Sequence, residues 1–322
     1  EEMGISLSYT PWLRTLVPDI NLAYLSFFRR LDRQQVIAAS LRYFSLGEIV
    51  FTNQFGDYQG QHTPNEFAID AGYSRLFSDK FSGGLAFRFI RSDLTGGAVS
   101  STSGETKAGI AFAADVSAYY QTDIQVSDKD AKLSFGADIS NIGTKISYTQ
   151  NQDADFIPIN LRLGGALKMN LDPYNTLTFA LDFNKLLVPS PPVYYQDSTN
   201  AAGDPVIHYG MDPNVSVPVG MFRSFYDAPG GFKEEINEIM YSIGAEYWYR
   251  NQFAIRGGYF HENQNKGNRK FFTLGVGLKL NVFAVDFAYL VPTSGRQNPL
   301  ANTMRFTLSF NFDKYKNQNA GN

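Results

Sequence analysis

Making or breaking covalent bonds needs a nucleophile or a general base held within hydrogen-bond reach of a partner group. The chain of 322 residues is poor in such groups: it has three histidines, His62, His208 and His261, and no cysteine. Without cysteine there is no disulfide framework and no thiolate metal site. His261 precedes Glu262, which suggests a base beside its orienting carboxylate, but adjacent residues of an extended chain point to opposite faces. Gly257, Gly258, Gly275 and Gly277 lie in alternating segments with no helix behind them, so they favour strand curvature or close approach over a phosphate cradle. No carboxylate cluster has calcium-loop spacing. No catalytic residue, metal or cofactor is expected, so the chain reads as a binding or transport protein rather than an enzyme.

Two other sets of residues carry more meaning. The first is a series of inward charges, mostly one central charge per alternating segment, set among Gly, Ala and Ser. Arg42, Asp70, Arg88 and Asp115 alternate in sign; Asp138, Arg162, Asp182 and Glu246 follow; Arg256, Lys279, Asp286 and Arg305 complete the series. Cross-strand opposite charges contribute roughly 0.2–1 kcal/mol each, and a face lined this way is hydrated or filled by a polar plug. The second set lies in one long excursion, residues 186–235, rich in proline and aromatics. Disordered segments lack aromatics, whereas stiff aromatic loops bury contact area at low entropic cost. The candidates for partner or cargo contact are Pro191, Tyr194, Tyr195, Met221, Phe222, Phe225, Tyr226 and Phe232. A loop folded onto its own barrel as a lid is the competing reading, and Phe232 to Ile239 has the pattern of a short helix.

The elements that must position these residues are strands. From Phe271 the chain alternates without a break, with Phe272, Leu274, Val276, Leu278 and Leu280 on one face and Thr273, Gly275, Gly277 and Lys279 on the other. Such a strand fits a soluble sandwich, with its polar face in water. It fits equally a membrane barrel, with its apolar face in lipid.

Count and loop order decide between them. The pattern recurs near residues 3–10, 19–29, 33–44, 66–76, 80–91, 108–121 and 130–140, then near 157–169, 175–185, 236–249, 253–262, 270–281, 282–290 and 303–313. That is fourteen segments, most about as long as the roughly 9–11 residues a tilted strand needs to cross a bilayer. Short and long connections alternate strictly along the chain, as in outer-membrane barrels and not in Greek-key sandwiches. Phe28, Phe77, Phe81, Tyr120, Tyr174, Tyr247, Tyr249, Phe253 and Phe283 cluster at the short turns, as an interfacial aromatic belt would. The net charge of −3, without long basic runs, gives no footprint for nucleic acid. No run approaches the roughly 18 apolar residues of a transmembrane helix.

The expected fold is therefore all-β. Residues 1–322 form a single 14-stranded antiparallel transmembrane barrel with short periplasmic turns and long extracellular loops, of which 186–235 is the longest. The chain opens at Glu1 and is in a strand by Met3, so a signal peptide is expected to have been removed.

Several strings carry a family resemblance. MGISLSYTPWLRTLVPDINLAYLSFF from Met3, DFNKLLVPSPP from Asp182 and SFYDAPGGFKEE from Ser224 resemble the PorV family, also called LptO, outer-membrane barrels of the type IX secretion system. GAEYWYRNQFAIRGGYFHE from Gly244 and KGNRKFFTLGVGLKL from Lys266 do the same. The resemblance implies a FadL-like fourteen-stranded barrel in the outer membrane of a Bacteroidetes bacterium. It implies a shuttle that receives cargo bearing a C-terminal signal domain at an SprA-type translocon and passes it to a PorU-type sortase complex. The name LptO implies a link to outer-membrane lipid, namely lipopolysaccharide. FadL-like barrels usually carry a segment ahead of the first strand that can occupy the lumen, whereas this sequence starts almost in that strand. The alternatives are a FadL-like transporter of small hydrophobic molecules, against which the charged lumen counts, and a lipid A modifying enzyme, for which no constellation is present.

Overall fold

The structure, a computed structural model, describes residues 2–12, 19–97, 99–100, 104–149, 154–200, 203–293 and 303–312. Fourteen strands close into one antiparallel barrel. The first seven are Met3–Pro11, Ile20–Arg30, Gln35–Leu46, Asn65–Leu76, Phe81–Asp93, Gly109–Val126 and Lys129–Gly143. The remaining seven are Asn160–Asn170, Asn175–Leu186, Met240–Tyr249, Phe253–His261, Lys270–Leu280, Phe283–Pro292 and Met304–Phe312. The first strand pairs with the last, Leu7 opposite Leu308, so no edge is left unpaired in the cylinder.

The short turns have local causes. Ser127 and Asp128, and again Arg250 and Asn251, have φ between 49° and 61°, the left-handed pair that suits the twist of a tight hairpin. At two other turns an aspartate closes the chain on itself: Asp32 accepts from the backbone of Gln34 and Gln35, and Asp172 from that of Tyr174 and Asn175. These backbone hydrogen bonds hold both carboxyls below the ordinary aspartate range, with Asn175's side chain the largest contributor at Asp172.

Alternation fixes the two faces. Phe272, Leu274, Val276, Leu278 and Leu280 point outward and are exposed, and the register carries that assignment around the wall. Of the aromatics at the short turns, Phe28 departs from the belt. It pairs with Gly4 and Ala38 on the inward face, and a Cβ on Gly4 would overlap its ring, so that glycine makes room for it.

The long-loop rim is where structure departs from the simple strand count. The tenth strand begins at Met240 rather than near 236, because Phe232–Asn237 is helical. The excursion before it also holds a hairpin, Val193–Thr199 with Pro205–Tyr209, and a helix, Val217–Arg223. A second hairpin, Ile49–Thr52 with Tyr58–His62, rises from the loop after the third strand. No helix among the described residues is long and apolar enough to cross a membrane, which says nothing of strands.

Candidate functional site

The register places all twelve of the single charges on the inward face. Asp70 pairs with Ser40 and Arg88, Asp138 with Arg162, Gly164 with Asp182, and Glu246 with Arg256. Six of them form two networks on opposite walls. In the half nearer the long loops, Arg88 donates to Asp70, to Asn141 and, at 2.9 Å, to Asp115. The strand register shifts between Ala114 and Val116, and this bulge turns Asp115 so that it also accepts the backbone N–H of Asn141 at 2.7 Å. Nearer the short turns, Arg256 donates to Glu246 at 2.6 Å and to Asp286. Arg162 donates to Asn184 at 2.8 Å, and Arg42 lies over the Tyr24 ring. A lumen lined on two walls by paired charges is a poor path for an apolar solute.

Its mouth is partly filled by the chain after the seventh strand. Tyr148 donates to the Ser92 hydroxyl at 3.0 Å, and Asn141 donates to the Pro158 carbonyl at 3.0 Å. Ile146, Ile157 and Ile159 cluster with Ala111, Ala113 and Leu187 as the main apolar core of the described residues. The helix Val217–Arg223 docks on this core through Val217 and Met221, and its Gly220 admits the Phe156 ring. Between the infolded chain and the wall remains a cavity of about 510 Å³, lined by Trp12, Phe44, Ile90 and Phe156 with Arg42, Glu66 and Arg88.

The long loop is stapled down by a buried ionic cluster. Lys185, at the end of the ninth strand, donates to Glu235 at 3.0 Å and to Glu238 at 2.6 Å. Lys266, from the next loop, donates to Glu234 at 2.5 Å and to Glu238 at 2.9 Å. Ser190 donates its hydroxyl to Glu238 and its backbone N–H to Asp227. Burial alone would raise the Glu238 carboxyl, but the hydrogen bonds from Lys185, Lys266 and Ser190 outweigh it and hold it below its ordinary value. The Lys266 ammonium likewise holds Glu234 low, whereas burial pushes Asp227 up.

Of the loop residues singled out by sequence, Phe232 and Phe222 stand out at 79% and 74% exposure; Pro191, Tyr194, Tyr195, Phe225 and Tyr226 are also exposed. Met221 is not among them, since it packs inward on the apolar core. The rings of Tyr195 and Tyr209 lie tilted against His208, at 4.1 and 3.8 Å between ring centres. His261 stacks on Tyr241, while its neighbour Glu262 is buried and bound to Arg269 at 2.7 Å, so the two do not act together. His62 faces Asp93 at 3.5 Å. Among the described residues no group of three or more acidic, histidine or cysteine side chains is arranged to hold a metal.

Sequence reasoning missed the staple. Its signal was Lys185, a charge in the row of Phe179, Leu181 and Phe183, where the alternation demands an apolar residue.

A family model described as "Type IX secretion system protein PorV" matches residues 1–193, the first nine strands and the start of the long loop. No curated protein sequence matches the chain. Among solved structures it is similar to the P. putida toluene transporter TodX, at 10% identity and a TM-score of 0.45, over 97% of this chain and 90% of that one. It is similar to the Ralstonia pickettii toluene transporter TbuX at 8% identity and a TM-score of 0.41, and to a Pseudomonas aeruginosa FadL homologue at 9% and 0.42. Each of those matches also covers 97% of this chain and 90% of the other.

Proposed function

The chain belongs to the PorV family of type IX secretion system proteins, and from that premise we propose that it is the outer-membrane shuttle of such a system. It receives cargo with a C-terminal signal domain at an SprA-type translocon and delivers it to a PorU-type sortase complex on the cell surface. The observation that carries this reading is the state of the long loop. Its ends are fixed by the Lys185 cluster and by the helix Val217–Arg223, so the hairpin between them presents Tyr194, Tyr195 and Tyr209 from a rigid base. Exposed aromatics that are already ordered lose little entropy on binding, which is what a contact surface for a large partner requires.

The test is to replace residues 194–208 by a short Gly/Ser link, leaving Ser190, Asp227 and the glutamates in place. The barrel should still fold, shown by heat-modifiable migration on a gel, while cargo accumulates in the periplasm. Secretion at the parent level from that variant would contradict the proposal.

A second reading, passage of a small amphipathic molecule, rests on the cavity beneath the loops. The paired charges of the lumen below it oppose that reading.

A further inference from the structure

The last helix of the long loop presents its residues the wrong way round for water. In Phe232–Asn237 the carboxylate-bearing Glu235 is 6% exposed, while Phe232 and Ile236, one turn apart, are 79% and 51% exposed. A surface helix in water buries its apolar stripe and exposes its acids. Phe225 and Ile239, just before and after it, are exposed as well.

Lys185 fixes which side of the wall this segment occupies. Strand alternation puts Phe179, Leu181, Phe183 and Lys185 in one row facing away from the lumen, opposite Thr178, Ala180, Asp182 and Asn184. The first three are exposed, as lipid-facing residues of a membrane barrel are. Lys185 in the same row is only 8% exposed, because Glu235 and Glu238 cover it and the Phe225 ring lies 5.9 Å from its ammonium. The covering segment therefore lies against the outside of the barrel at the long-loop rim, and not across the lumen.

Its exposed side continues the lipid-facing band. Phe183 pairs with Tyr241 and Leu181 with Ile243, all four outward and exposed, directly below the segment. At the level above them the ions are turned inward and paired, and the apolar residues outward. Lys233, the exposed cation of the helix, stands next to Phe232.

We propose that residues 225–239 form an interfacial strap, seating Phe232 and Ile236 in the outer leaflet of the membrane, with Lys233 at the level of the lipid phosphates. The partner is a lipid surface, recognised by acyl chains and an anionic head region. The inverted amphipathicity is then the correct one. The ionic cluster does two things at once: it neutralises Lys185 on the lipid side of the wall and holds the strap at the depth where its aromatic side meets acyl chains. A protein partner is the competing occupant of the same patch.

The test uses the full chain alone in vesicles, so neither cargo nor translocon is present and the outcome is independent of the shuttle reading. Phe232→Trp and, separately, Ile236→Trp are reconstituted into phosphatidylcholine vesicles with and without brominated acyl chains. The parent protein, whose Trp248 faces the lumen and whose Trp12 lines the mouth, supplies the background. The added tryptophan should emit at shorter wavelength than tryptophan in water and be quenched several-fold more by brominated lipid than by aqueous iodide. Quenching by iodide with no effect of bromine would overturn the proposal by placing the patch in water, where a protein partner could reach it. Two positions are used so that a variant failing heat-modifiable migration is replaced by the other.

Discussion

Two basic residues show how little a charge means apart from its surroundings. Arg88 and Lys185 each bridge two carboxylates, yet Arg88 does so on the lumen side of the wall and Lys185 on the lipid side. Removing the cation from a buried pair leaves its partners uncompensated, typically at a cost of 3–5 kcal/mol. Arg88 and its two acids are all under a fifth exposed, but the polar lumen softens the loss. Arg88→Met should therefore destabilise the barrel by about 3 kcal/mol, read as a lower urea midpoint for unfolding from vesicles. An unchanged midpoint would mean that water solvates Asp70 and Asp115 as well as Arg88 does. The twelve lumen charges were legible because most break a row of small or polar residues on a face that alternation defines. The staple was not, because its members come from three separate stretches, Lys185–Ser190, Asp227–Glu238 and Lys266, which only the fold brings together.

At the scale of elements, period-two patterning found all fourteen barrel strands, since each has a continuous apolar face in lipid and nothing else competes for it. The loop hairpins escaped. Tyr58–His62 and Val193–Thr199 lack an alternating apolar face, so their pairing follows from turns and anchoring rather than from hydrophobic pattern. Phe28 was misplaced because its neighbour Phe27 is also aromatic, and sequence alone did not say which of the two ring positions Gly4 opens for. The docked strap has a pH dependence of defined sign. Glu238 and Glu234 have lowered folded-state pKa values, so their contribution is present above the ordinary glutamate value and is lost as pH falls through the folded one. Asp227, raised by burial, works in the opposite direction and is the smaller set, one acid against two. Amide protection across 225–238, taken as exchange relative to the intrinsic rate at each pH, should be high at neutral pH and fall below about pH 4. Protection that persists in acid, or that falls toward neutral pH, would show that packing and not the ionic cluster holds the strap.

For the whole molecule, a closed barrel with no free edge is a stable body that carries its irregular structure at the long-loop rim, and that rim is where both proposals lie. In these proposals the hairpin of Tyr194, Tyr195 and Tyr209 serves as the partner surface, and the strap of Phe232 and Ile236 faces the leaflet. Fixing the strap in lipid would set the height at which the hairpin meets a partner. None of this could be read from the count of strands, which says only that the protein is an outer-membrane barrel. The most direct test of the shuttle function is a tagged pull-down from detergent-solubilised outer membranes at native expression, with mass spectrometry of the recovered proteins. The account predicts a very large translocon barrel together with secreted proteins that share a C-terminal domain, both lost when residues 194–208 are replaced. A barrel recovered alone, or with only a bound small amphipathic molecule, would contradict it.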